Sequence, residues 1–368
     1  MEEAYKEVLI QTVCETYPKY YRQKIIKQLE KENLVYFSEE LFKKDGAVDL
    51  FGVEEPDQLT TCIKNSDIIA KKIEEMEFVN SYKSSVIFSV NEIPEQAVDQ
   101  LISRGLVKNF YDESFDNDVL FKDLSSEIVP TKYDAIEQVV IFKFSRLLTG
   151  YLPVEINNKR EIKYPILAIF YKDLNILEIR LEKAKGFLKN SDEYFYAKQV
   201  ELIKDWFEEN LGCEIEAVNL SPVVDYISRS EGEEVYVSAQ AMNLKSKKKA
   251  VLDTGDNDED ILPLLGELKE LIKANQELFN KNTEIKELLE NFILETEETS
   301  DLPWISLTWK NESKSNATKV KFNFNYMNKD YSLLQYYFNN KTGMERMNNV
   351  TRYLIENKRL LEETECED

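Results

Sequence analysis

Histidine is absent from all 368 residues. That removes Ser–His and Cys–His nucleophile pairs, imidazole general bases and every His-ligated metal site. Glycine is scarce, ten residues with no G-x-G among them, so the chain has neither a phosphate-cradling P-loop nor a dinucleotide fingerprint. The four cysteines, Cys14, Cys62, Cys213 and Cys366, are scattered without a C-x-x-C. That spacing speaks against a zinc cluster or a disulfide framework and fits a reducing compartment. No apolar run approaches the roughly twenty residues of a membrane span, and no signal-peptide pattern opens the sequence. The expectation is a cytoplasmic protein with no membrane partner, no cofactor and no metal.

What the chain does have is charge beside apolar surface: 43% of residues are apolar, 32% are charged, and the formal net charge is -22. A chain of this length and balance can bury a large core. The acidity is uneven. Residues 250–301 hold fifteen acids against four lysines, a net of -11, whereas residues 302–361 hold ten basic residues against four acids, a net of +6. The overall acidity argues against coating nucleic acid, while the basic segment keeps a local contact open.

Periodicity predicts an α+β chain in four parts: a helical part over 1–128, an antiparallel sheet with a covering helix over 129–252, a long acidic helix over 253–300, and a basic hairpin with helices over 301–368. Ala4, Val8, Leu9 and Val13 have helical spacing, as do Ile68, Ile69 and Ile73. A helix with the face Ala97, Val98, Leu101 and Ile102 precedes Gly105, a strand at Leu106–Val107 and a returning strand at 119–121. That order matches a winged helix, although an ordinary helix–hairpin corner explains it more simply. This helix has no cation before Arg104, so even as a winged helix it suits a protein partner better than DNA.

Segments 139–144, 166–171 and 177–181 read as a meander, turned at Asp173-Leu174-Asn175. Leu177, Ile179 and Leu181 alternate with Glu178, Arg180 and Glu182, which are expected to face outwards. Phe195, Val200, Ile203 and Phe207 give the helix 192–211 a face to cover the sheet, with Gly212 as its cap.

The longest regular pattern is an a/d heptad. Ile261, Leu268, Asn275, Asn282 and Leu289 recur every seven residues, as do Leu264, Leu271, Leu278, Ile285 and Phe292. One helix from about 260 to 297 is predicted. Leu265, Ile272, Phe279 and Ile293 widen the stripe, which favours packing within the chain. Asn275 and Asn282 at a positions favour a parallel dimer. The candidate oligomerisation residues are Leu264, Leu271, Asn275, Leu278, Asn282 and Ile285.

Ile305, Leu307 and Trp309, then Val320, Phe322 and Phe324, alternate with polar residues and predict a hairpin. Lys310, Lys314, Lys319 and Lys321 decorate it, and Arg346 and Arg352 lie on the next helix. This face could track phosphates. A lysine-decorated edge that resists aggregation competes with that reading and is favoured over it.

An Asp173, Glu178, Arg180 set is a poor match to a carboxylate–lysine nuclease, with arginine where lysine is wanted. The expectation is therefore a non-enzymatic interaction or regulatory subunit. Its partner is another protein or a second copy, with nucleic acid secondary. A histidine-free, metal-dependent nuclease is the alternative. Abundant Lys, Asn, Ile, Tyr and Phe suggest an AT-rich coding sequence, as in low-GC bacteria or their phages, and with it a role in phage–host conflict or antiviral defence.

Overall fold

The structure, a computed structural model, describes the chain apart from residues 38–45, 92, 125–126, 153–158, 190–191, 230–233, 244–248, 255–264, 299–300, 311–316, 338–342 and 368. The protein is mixed α+β, and none of its described helices is long and apolar enough to cross a membrane. It divides into two compact units. The first holds residues 1–83, 87–216 and 341–345; the second holds 84–86, 217–340 and 346–368.

The first unit opens with helices α1 (Glu3–Thr16) and α2 (Lys19–Lys31). Two short parallel strands follow, β1 (Val35–Tyr36) and β2 (Val48–Asp49), then α3 (Gln58–Asn65) and α4 (Asp67–Phe78). Leu9, Val13, Ile25, Leu29, Ile63 and Ile73 form their shared core. The Ser66 hydroxyl accepts the Ile69 N–H and starts α4, as an N-cap serine does.

Next come β3 (Ser84–Val90), α5 (Glu95–Ser103), β4 (Lys108–Asn109), β5 (Leu120–Phe121) and β6 (Thr131–Ile136). The long hairpin β7 (Val139–Tyr151) and β8 (Lys159–Tyr171) leads to β9 (Ile176–Leu181), α6 (Phe195–Leu211) and β10 (Ile215–Ala217). Strands β7 to β9 form the antiparallel meander that the alternation predicted, and β6 extends it by one more antiparallel strand. The β8–β9 turn is tight because Asn175 takes the left-handed conformation at φ +55°.

β4 and β5 do not pair with each other, so neither a wing nor the simpler hairpin corner forms there. β4 lies parallel to β6 and β5 parallel to β7. Aromatic burial decides this: Phe110 packs on Phe115, Tyr133 and Phe78 at 5.2, 5.7 and 5.4 Å, which draws the segment onto the sheet.

One face of the meander is apolar. Phe142 meets Phe207 at 5.3 Å, Phe144 meets Trp206 at 5.3 Å, and α6 thereby covers this side. The other face carries Lys143, Lys163, Glu178 and Arg180, all buried. The outward, solvated positions expected for Glu178 and Arg180 are thus corrected. They are enclosed, and each is the other's counter-ion. The reason for Lys163 is visible: α1 runs along β8, with the Thr12 hydroxyl accepting the Lys163 N–H at 2.8 Å and the Gln11 side chain accepting the Glu161 N–H at 2.9 Å.

The second unit contains α7 (Ser221–Arg229), β11 (Val235–Asn243), β12 (Lys249–Asp253), β13 (Asp301–Trp309), β14 (Thr318–Asn323) and β15 (Leu333–Tyr337). These strands pair antiparallel in the order β12-β11-β13-β14-β15. Between β12 and β13 lie α8 (Leu265–Ala274), α9 (Gln276–Phe279) and α10 (Thr283–Glu298), and the chain closes with α11 (Glu345–Glu367).

The single long helix expected over 260–297 is therefore three helices. Its breaks fall at the asparagines. Asn275 leaves helical geometry at φ -114°, ψ 31°, and Asn282 ends the link before α10, its carbonyl accepting from Ile285 and Lys286. Asparagine competes with the helix by bonding nearby backbone, and the Asn275 amide donates to the Leu271 carbonyl at 2.9 Å. Ile261 and Leu264 of the heptad lie outside the described residues.

Candidate functional site

The first unit encloses five charged side chains around one point. Helix α4 contributes Glu74 and Glu77, three residues apart and so on one face. The segment before β5 contributes Asp118, β7 contributes Lys143, and β8 contributes Lys163. None is more than 3% exposed. Lys143 Nζ lies 2.7 Å from Glu74, 3.0 Å from Glu77 and 2.9 Å from Asp118. Lys163 Nζ lies 2.6 Å from Glu74, 2.6 Å from Glu77 and 3.5 Å from Asp118.

Neutral donors complete the shell. Tyr5 of α1 donates to Glu74 at 2.7 Å, Tyr17 to Glu77 at 3.2 Å, and Thr131 and Ser145 each to Asp118 at 2.7 Å. Each Lys ammonium thus meets three carboxylates and each carboxylate meets two ammonium groups, the pairing that makes burial of charge tolerable.

The environment moves these groups apart. Burial pushes the Glu74 carboxyl up to about 7, against the pull of Lys143 and Lys163 and with help from Glu77 and Asp118. Burial would also raise Asp118, but the same two lysines and the Ser145 hydroxyl outweigh it and hold Asp118 well below the carboxylate range. Burial works against the charge of Lys143, yet the surrounding carboxylates raise it.

The three carboxylates approach within 4.8 Å of one another, close enough in distance for a metal ion. The positions such an ion would take are filled by ammonium groups at 2.6–3.0 Å, so the cluster supplies its own cations.

Sequence reasoning missed this cluster, although two signals were present. Lys143 interrupts an otherwise apolar run between Phe142 and Phe144, and such a lysine must be buried with a counter-ion. Glu74 and Glu77 continue the helical stripe of Ile69, Ala70 and Ile73.

A second closed ion pair lies on β9. Arg180 donates to Glu178 at 2.7 Å and to the Tyr171 hydroxyl at 2.9 Å, and Tyr171 donates to Glu178 at 2.9 Å. Asp173 stays exposed at the turn.

The basic candidates of the second unit are split between two sides of the sheet, with Lys310, Lys319 and Lys321 on one and Arg346 and Arg352 on the other. Trp309 faces the same side of β13 and β14 as Val320 and Phe322, and its ring meets Tyr353 of α11 at 5.9 Å. Helix α11, with Arg346 and Arg352, therefore covers that side, while Lys319 and Lys321 point to the other. Lys321 sits over the Trp304 ring at 3.9 Å, Lys319 lies 3.8 Å from Asp253, and Lys310 lies over Tyr236 at 5.1 Å. Lys314 is outside the described residues. With the cations divided and partly engaged, a labelled oligonucleotide at low salt is expected to show no binding that Lys319→Glu with Lys321→Glu removes. Salt-sensitive binding lost in that variant would restore the phosphate-tracking face.

The heptad positions fall into two environments. Ile272 and Ile293 are buried and belong to the groove between α8 and α10, of about 390 Å³, whose polar lining includes Lys269, Lys273, Lys286 and Glu290. The d row is left outside: Leu271 is 51% exposed, Leu278 62%, Ile285 54% and Phe292 59%. Leu288 and Leu294 join it.

A scan against protein-family models and a search of curated proteins find no match for this chain.

Proposed function

We propose that this chain is an interaction protein that assembles with a second copy of itself through helices α8 to α10. The observation that carries this reading is the exposed d row. Six of the sixteen large apolar side chains exposed across the described chain fall between residues 271 and 294. Scattered exposed apolar residues are ordinary, but so many within one short stretch support an interaction surface there. Two such helix pairs, brought face to face, make the a/d-type core of a four-helix bundle.

The charge is permissive. Residues 267–294 hold six glutamates and four lysines, a net of -2, against -22 for the whole chain, so two copies meet without strong repulsion. Light scattering at micromolar concentration is expected to return the mass of two chains, and the mass of one chain overturns the proposal.

The alternative, a carboxylate–metal phosphodiesterase, has less support. Its candidates Glu178 and Arg180 form a closed, buried pair, and the carboxylates converging at Glu74 are each bonded to lysine. Plasmid DNA incubated with the pure protein and magnesium or manganese is expected to stay intact. Cleavage abolished by Glu74→Gln or Glu178→Ala would instead show an active site.

A further inference from the structure

Three buried carboxylates face two buried ammonium groups, and that count does not balance. With every group ionised, the cluster of Glu74, Glu77, Asp118, Lys143 and Lys163 would hold one surplus negative charge at a place where no member is more than 3% exposed. An uncompensated charge there costs far more than binding a proton, so the cluster reaches neutrality by retaining one.

The geometry shows where. Carboxylate oxygens of Glu74, Glu77 and Asp118 lie within 4.8 Å of one another. Three ionised carboxylates at that spacing repel, and one proton among them relieves the repulsion. Asp118 already accepts from Thr131 and Ser145 at 2.7 Å and from Lys143 at 2.9 Å, partners that favour its ionised form. Of the two α4 glutamates that remain, Glu77 borders a cavity with room for a water, whereas Glu74 is fully enclosed, so desolvation falls hardest on Glu74 and it carries the proton.

We propose that Glu74 holds an exchangeable proton inside this cluster, and that its loss as pH rises loosens the packing of α1 and α4 on the sheet. The groups facing Glu74 come from every neighbouring element: Tyr5 from α1, Glu77 from its own helix, Asp118, Lys143 from β7 and Lys163 from β8. A cavity of about 40 Å³, lined by Thr12, Thr16, Tyr17, Glu77 and Lys163, has room for a water.

The chain contains no histidine, so the group that ordinarily titrates between pH 5 and 8 is missing. The folded Glu74 carboxyl titrates above its ordinary 4.5, at about 7. A raised folded value means that the proton favours the folded state. Its contribution is complete below about 4.5, declines as pH rises, and is gone above about 7. Carboxylates with depressed values, Asp118 and Asp67 among them, act only at lower pH, where stability falls as pH drops.

Urea unfolding measured from pH 5 to 8 tests the proposal. For wild type, the unfolding constant of the first unit is expected to rise up to about tenfold per pH unit towards pH 7, the limit for one proton. In Glu74→Gln, which removes the surplus charge and keeps the shape, that dependence is expected to vanish. An unchanged dependence in the variant overturns the proposal. Should the variant not fold, carbon NMR of glutamate-labelled wild type answers directly. One glutamate carboxyl titrating near neutrality is expected, and all of them titrating below about pH 5.5 overturns it.

Discussion

Lys163→Met is expected to lower the stability of the first unit by about 3–5 kcal/mol, the range for breaking a buried ion pair by removing one partner. The side chain it replaces lies within 2.6 Å of both Glu74 and Glu77, donates to the Tyr5 hydroxyl at 3.1 Å, and is fully enclosed. Without it, three carboxylates share the single ammonium of Lys143, and even with one proton retained a negative charge stands uncompensated in the interior. Against a total stability of about 5–15 kcal/mol the loss is large. At roughly 2–4 °C per kcal/mol it lowers the melting temperature by about 10 °C.

Acid is expected to soften the effect, because protonating carboxylates removes the charge that Lys163 balanced. Lys183→Met, at an exposed position next to the same sheet, is the control and is expected to change stability by less than about 0.5 kcal/mol. The double variant Lys163→Met with Glu74→Gln is expected to recover part of the loss, since members of one network couple by about 0.5–3 kcal/mol. A melting temperature for Lys163→Met within experimental error of wild type would contradict the burial and pairing described for the cluster.

Leu271→Glu with Phe292→Glu is expected to raise the dissociation constant of the dimer by at least about a hundredfold. Burying a leucine or phenylalanine side chain contributes about 1.5–3 kcal/mol, and every 1.4 kcal/mol is a tenfold change in affinity. Both side chains are more than half exposed in the single chain, so the variant should keep its fold, read as unchanged far-ultraviolet circular dichroism and melting temperature at low concentration. Ile272 and Ile293, buried in the groove between α8 and α10, are untouched. A variant that stays dimeric would move the interface elsewhere. One that unfolds would show that the d row belongs to an interior after all.

The sequence made the α+β class, the central meander and the terminal hairpin legible because each rests on local alternation. Leu177, Ile179 and Leu181, or Val320 and Phe322, state their period within a few residues. The covering helix was equally plain, from Phe195 to the left-handed Gly212 at φ +64° that ends it. Pattern failed where tertiary context outweighed local signal. A polar residue on a strand was read as solvent-facing, and Glu178 and Arg180 proved enclosed because that face of the sheet is covered. An unbroken heptad was read as one helix, and the weak helix formers Asn275 and Asn282 broke it. The charge cluster draws on α4, β7, β8 and the segment before β5, separated by up to 89 residues between Glu74 and Lys163. No short window could reveal it, although a lysine flanked by phenylalanines was a clue to the burial.

Hydrogen exchange of the hairpin amides at two protein concentrations tests most directly whether the chain assembles through these helices. Raising the concentration from well below to well above the dissociation constant is expected to slow exchange in α8 and α10, and to leave the central strands β7 and β8 unchanged. Exchange in α8 and α10 that is the same at both concentrations would contradict the account.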